Sequence, residues 1–158
     1  MKRIPWLRIV CAILLVLNLL FIWGNSRLSA TESAALSVQV KLFLSRWWPE
    51  LLIHPQGGVL IRKSAHFCEF CTLGMLLIGI HGPRAKKWFR IVICSLICAM
   101  AIAGLDELIQ FTSPGRTPSI LDVALDSAGA AIGIGILCLG FYIYKKIKNN
   151  IISGGKQK

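Results

Sequence analysis

The sequence predicts an all-α integral membrane protein, a four-transmembrane-helix bundle plus an outer interfacial amphipathic helix, and three observations lead there. Hydrophobic residues make up 55% of the 158-residue chain against 16% charged, well to the apolar side of an ordinary soluble domain. They gather in runs near the roughly 20 residues that a helix needs to cross a bilayer core of about 30 Å. Lysine and arginine crowd into alternate connections between those runs, the bias that sets membrane orientation.

The first transmembrane helix occupies residues 1–24, apolar from Pro5 to Trp23 with Arg8 near its inner end, where a long side chain can snorkel to the headgroups. Lys2 and Arg3 before it, with Leu28, Ser29 and Ala30 after it, also fit a cleaved signal peptide. A retained helix is the better reading, because the run is longer than the usual signal core and Arg27 crowds the cleavage site. Residues 25–58 form an extracytoplasmic segment in which Leu36, Val40, Phe43, Leu44, Trp47 and Leu51 recur at helical spacing, with Lys41, Ser45 and Arg46 off that stripe. The pattern suits an amphipathic helix in the outer interface, anchored by Trp47 and Trp48; a lid over a site beneath it is the alternative.

Residues 59–144 form a core with three further spans, from Leu60 to about Ile80, Arg90 to about Phe111, and Ile120 to about Tyr144. The first of these is disguised, since it opens with Arg62, Lys63, His66 and Glu69. Ala99, Ala101, Ala103 and Gly104 in the next span, and Gly129, Gly133 and Gly135 in the last, are small residues at spacings that let helix backbones approach. A basic cytoplasmic tail, 145–158, closes the chain.

With the N-terminus inside, twelve of the eighteen lysines and arginines lie on the cytoplasmic side, and all seven acids fall on the outer side or in the outer half of a span. The C-terminus is then cytoplasmic too. The net charge of +11 reads as a topology signal and an attraction to anionic lipid headgroups, so membrane lipids are expected partners and nucleic acid is not. Cys11, Cys68, Cys71, Cys94, Cys98 and Cys138 all sit in apolar stretches and read as small buried hydrophobes. Cys68 and Cys71 make a CxxC that lacks the further ligands of a structural zinc site; no metal or cofactor is expected.

Followed along each helix, the polar residues converge on one depth near the outer surface. Arg62, His66 and Glu69, spaced by four and three, share a helix face with Lys63 beside them. Asp106 and Gln110, four apart, end the third span together with Glu107. After the turn from Thr112 to Arg116, Ser119 with Asp122 reads as a capping-box variant, and Asp126 lies one turn deeper. A charge deep in a span costs on the order of 3 kcal/mol on insertion scales unless it finds partners or water. Glu69, Asp106 and Asp126 are therefore expected to face one another. A buried ion-pair network that merely fixes helix positions is the plainer alternative. The density of ionisable groups favours a binding site made of Arg62, Lys63, His66, Glu69, Asp106, Glu107, Gln110, Arg116, Asp122 and Asp126.

These stretches, from Arg62 to Phe70, Asp106-Glu107 with Gln110-Phe111, Pro114-Gly115-Arg116 with Ser119, Asp122-Val123, and Gly129 with Gly133, resemble the VanZ-like family of bacterial membrane proteins over residues 60 to about 140. The resemblance implies a four-helix plasma-membrane domain and an association with teicoplanin resistance, with no settled biochemical activity. The chain departs from the family pattern at Asp126, where asparagine is common.

Two functions follow as expectations. One is recognition of a cell-envelope amphiphile, such as a lipoglycopeptide or a lipid-linked cell-wall precursor, with arginines meeting phosphate or carboxylate. The other is a membrane-embedded enzyme acting on a lipid-linked substrate through the His/Glu/Asp cluster, with His66, Glu69, Asp106 and Glu107 either sharing acid and base work or holding a divalent metal. Transport ranks low, since no broken helix or inverted repeat is evident.

Overall fold

A computed structural model describes residues 5–82 and 87–154, and every regular element among them is helical. In chain order they are α1 (Pro5–Ser26), α2 (Ala30–Leu44), the single turn α3 (Glu50–Ile53), α4 (Gly57–Gly79), α5 (Trp88–Phe111) and α6 (Ile120–Gly154). Lys2, Arg3, Arg84, Lys86, Lys156 and Lys158, which entered the charge count, lie outside the described residues.

Among the described residues, three helices are long and apolar enough to cross a membrane: Trp6–Ser26, Trp88–Phe111 and Ile120–Ile151. Their large side chains are exposed in number, among them Leu17, Leu20 and Phe21 on α1, Ile97 and Met100 on α5, and Ile132 and Ile136 on α6. Apolar exposure on this scale is the surface that lipid, not water, covers.

The fourth long helix, α4, has the length of a span at 23 residues but carries Arg62, Lys63 and Glu69. Its position gives the physical reason. It packs against α1, α2, α5 and α6, so much of its surface meets protein, and its side chains need not be lipid-compatible. Phe70, Leu73 and Ile78 are fully buried on it, and with Ile22, Ala99, Ala103 and Ala130 from its neighbours they make the core.

Close approach of α4 and α6 depends on glycine. A Cβ on Gly129 would meet the carbonyl oxygen of Phe67 at 2.5 Å; one on Gly133 would collide with the carbonyl of Cys71, and one on Gly74 with that of Ala130. The pair Gly129 and Gly133 is thus a small-residue seam on which the α4 backbone rests. Ala99 and Ala103 on α5 are buried as the spacing suggested, whereas Ala101 is exposed and Gly104 and Gly135 meet nothing within 4 Å. Those three are not packing residues here.

The segment between α1 and α4 departs from the expected single stripe. The helix ends at Leu44, and the chain turns through Ser45 to Pro49 before the short α3; Pro49, with no N–H to donate, suits an interruption there. On α2 the buried residues are Ser33 and Ser37, and Leu36, Val38, Val40, Leu42 and Phe43 lie exposed to either side of them. Small serines let α2 lie close to α4, where Ser37 faces Gly58. The start of α2 is fixed by a capping box: Ser29 Oγ accepts the Glu32 N–H, and Glu32 takes the Ser29 N–H at 2.8 Å. The Ser29 Oγ–H, which donates to Glu32 Oε2 at 2.7 Å, and then the Ser29 N–H hold the Glu32 carboxyl below its usual pKa.

Finally, α6 runs on through Lys145, Lys146 and Lys148 to Gly154, so the first part of the basic tail continues the helix by about 15 Å beyond Tyr144 at 1.5 Å per residue.

Candidate functional site

At one end of the bundle, α1, α4, α5, α6 and the α5–α6 turn supply a continuous polar cluster. Asp106 lies at its centre, with none of its surface exposed. Its position on α5 points both oxygens inward. One accepts Ser26 Oγ–H from the last turn of α1 at 2.6 Å, and the other accepts the Gln110 amide one turn along α5 at 2.9 Å. Both donors are neutral.

Around Asp106 the bonds form a chain. Arg116 donates to Gln110 Oε1 at 2.8 Å and to the Asn25 carbonyl at 3.4 Å, and Asn25 Nδ2 donates to Glu69 Oε1 at 2.9 Å. The turn that carries Arg116 is latched to α1 and α2: Ser113 Oγ–H donates to the Ser26 carbonyl, and the Ala30 N–H donates to the Pro114 carbonyl. Gly115 (φ +75°) makes the sharp bend, in a left-handed conformation that glycine adopts without strain, against Ala30. Burial, and then the neighbouring Arg62 charge, push the Arg116 pKa below its usual value, with Asp106 and Glu107 opposing the shift.

His66 sits between two carboxylates. Its Nδ1 is 3.7 Å from Glu69 Oε2 and 3.8 Å from Asp106 Oδ2, close enough for ion pairing but too far for a formed hydrogen bond. Toward the surface, Lys63 meets Asp122 at 2.5 Å. Arg62 lines the same opening as Lys63, His66, Gln110, Asp122 and Asp126. It makes no hydrogen bond or ion pair among the described residues. The enclosed space between these side chains is about 10 Å³, room for roughly one water molecule or a bare ion.

All ten sequence-nominated residues therefore lie in or beside one cluster, but their pairings differ from expectation at the start of α6. Asp122 does not close a capping box with Ser119. The Ser119 N–H goes instead to Glu107 Oε1 of α5 at 2.5 Å, and the Asp122 carboxylate goes to Lys63. An acid from another helix caps α6, which satisfies an orphan amide and ties α5 to α6 at once.

Sequence reasoning missed the contribution of α1. Asn25 and Ser26 bond to Glu69 and Asp106, and Asn18, two turns below Asn25, reaches the Glu69 carbonyl at 3.5 Å. The available signal was the spacing: Asn18 and Asn25, seven apart, fall on one face of an otherwise apolar span. Arg8 at the opposite end donates to the His81 carbonyl at 3.3 Å.

Several buried atoms have no hydrogen-bond partner among the described residues, including His66 Nδ1, Glu69 Oε2 and Asp126 Oδ1. One ligand-capable atom from each of His66, Asp106 and Asp126 lies within 4.8 Å of the others. The six cysteines are free, and Cys68 is exposed on the surface of α4.

Among known proteins, the sequence model of the VanZ/LLP1 family matches residues 8–142, a stretch that takes in α1 to α5 and most of α6. No curated protein and no solved structure matches the chain significantly.

Proposed function

The chain belongs to the VanZ/LLP1 family, and from that premise we propose that it is a four-span protein of the bacterial plasma membrane, with both ends cytoplasmic, whose outer polar cluster recognises the headgroup of a cell-envelope amphiphile. In this reading α4 is the fourth span and α2 lies at the outer interface. Orientation rests on the lysine and arginine bias in the connecting segments. Arg8 at His81 puts the start of α1 and the end of α4 at one level, as that topology requires.

The observation that carries the reading is the state of Arg62. Of the three fixed cations in the cluster, Lys63 is held by Asp122 and Arg116 by Gln110 and Asn25. Arg62 alone is uncommitted among the described residues, at the opening, where a guanidinium can take phosphate or carboxylate in a two-pronged contact. The enclosed space is too small for a whole amphiphile, so only the tip of a headgroup enters and the remainder lies along the membrane surface. A lipoglycopeptide or a lipid-linked cell-wall precursor has this form, which links the site to glycopeptide (teicoplanin) resistance.

Retention of fluorescent teicoplanin on cells producing the wild-type protein or Arg62→Ala is the test. The variant is expected to retain less at equal expression; equal retention contradicts the reading. A second reading, catalysis on a lipid-linked substrate, is favoured by His66 lying between Glu69 and Asp106, two carboxylates within ion-pair distance of its Nδ1. It requires that His66→Ala shift the profile of lipid-linked intermediates by mass spectrometry, and an unchanged profile would exclude it.

A further inference from the structure

The cluster has an imbalance that its internal bonds do not remove. Three acids, Glu69, Asp106 and Asp126, converge from three helices, and the first two lie within 4 Å of His66 Nδ1. The fixed cations nearby are spoken for or stand at the opening: Lys63 pairs with Asp122, Arg116 bonds Gln110 and a backbone carbonyl, and Arg62 lines the mouth. Neutral groups serve the acids instead, Ser26 and Gln110 at Asp106 and Asn25 at Glu69. Buried carboxylates so arranged shed their charge either by taking up protons or by admitting a cation.

Geometry places the gap. Asp126 is 3% exposed, and its Oδ1 has no hydrogen-bond partner among the described residues; the same is true of His66 Nδ1 and Glu69 Oε2. Ligand-capable atoms of His66, Asp106 and Asp126 lie within 4.8 Å of one another, and the adjoining space of about 10 Å³ is lined by His66 and Asp126. Around a tetrahedral zinc, donors about 2.1 Å from the metal stand about 3.4 Å apart, so a side-chain closure on the order of 1 Å completes the set.

We propose that His66, Asp106 and Asp126 form a binding site for one divalent transition cation, of the zinc or manganese kind, with Glu69 beside it as a further carboxylate. One imidazole nitrogen and two carboxylates are a donor set that suits these ions. The Gln110 and Ser26 hydrogen bonds orient Asp106 as outer-shell partners orient ligands. The site is built from the buried acids and not from Arg62, and it adjoins the same small space that Arg62 lines.

Full-length protein in nanodiscs, stripped with a chelator and dialysed, is titrated with Mn2+ while free aquo-ion is followed by electron paramagnetic resonance, and with Zn2+ by elemental analysis. One ion per chain is expected, with Asp126→Asn and His66→Gln each weakening binding by at least about tenfold, the scale on which even outer-shell losses act. Circular dichroism confirms that each variant scored is folded, and Cys68→Ser with Cys71→Ser is expected to bind as wild type. Three results would overturn the assignment: no stoichiometric ion on the wild-type protein, unchanged affinity in both folded ligand variants, or loss of the ion in the cysteine variant. None of these readouts depends on teicoplanin, so failure here leaves the Arg62 test standing.

Discussion

Two layers of the bundle lie a turn or two apart along α4 and α6 and are built by opposite means. One is defined by missing side chains, where Gly74, Gly129 and Gly133 let the two backbones touch. The other is crowded with polar groups, where His66, Asp106 and Asp126 meet. The first sets the second: Gly129 rests on the carbonyl of Phe67, the residue after His66, so the glycine seam fixes how near α4 brings its histidine to the acid on α6. Apolar close contact here acts as the ruler for the site, and the hydrogen bonds above it finish the alignment.

This difference can be broken at either layer. The largest effect is expected from Gly133→Ala, whose Cβ collides with the rigid Cys71 carbonyl. It should destabilise the protein by about 1–3 kcal/mol, the usual cost of overpacking, in thermal unfolding in detergent. Gly135→Ala, in open space on the same helix, should stay within about 0.5 kcal/mol of wild type; equal losses at both positions would deny the seam its role.

In the polar layer, Ser26→Ala removes the 2.6 Å bond to Asp106 and leaves a fully buried carboxylate oxygen short of a donor. A loss of about 1–3 kcal/mol is expected, and a neutral result would mean that α1 does not bear on the cluster. Ser29→Ala, at the capping box of α2, should cost about 1 kcal/mol, read as earlier fraying of that segment by hydrogen exchange. Smallest of all, Arg62→Ala should leave unfolding unchanged within about 0.5 kcal/mol, because no bond to another described residue holds Arg62 in place; a clear loss would make it a structural cation.

How far the sequence reaches follows from what its patterns encode. Apolar runs report length, and so α1, α5 and the start of α6 were legible to within a few residues, while α6 runs on past the expected Tyr144 to Gly154 and α4 was found from its apolar run despite the charges at its opening. Spacing reports which residues share a face, and the cost of burying lone charges pointed Glu69, Asp106 and Asp126 toward one another, as they lie around His66 in the structure. Neither pattern reports which neighbour a face meets. Asn25 and Ser26 fell just past the first span, in the segment assigned to the extracytoplasmic side, and Gly104 and Gly135 resembled Gly129 and Gly133 although they face open space. Partner exchange is equally invisible: Ser119 and Asp122 have capping-box spacing, yet Glu107 and Lys63, close only in the folded chain, take their bonds. At Ser29 and Glu32 the same spacing does close a capping box.

The central claim is that side chains from separate helices meet in one cluster, and the α1–α5 contact tests it most directly because the sequence alone did not anticipate it. In a chain freed of its six cysteines, Ser26→Cys with Asp106→Cys is expected to cross-link efficiently under mild oxidation in native membranes. Ser26→Cys with Leu105→Cys, whose second position is 51% exposed, is expected not to. Cross-linking at 26 and 105 without cross-linking at 26 and 106 would contradict the arrangement described.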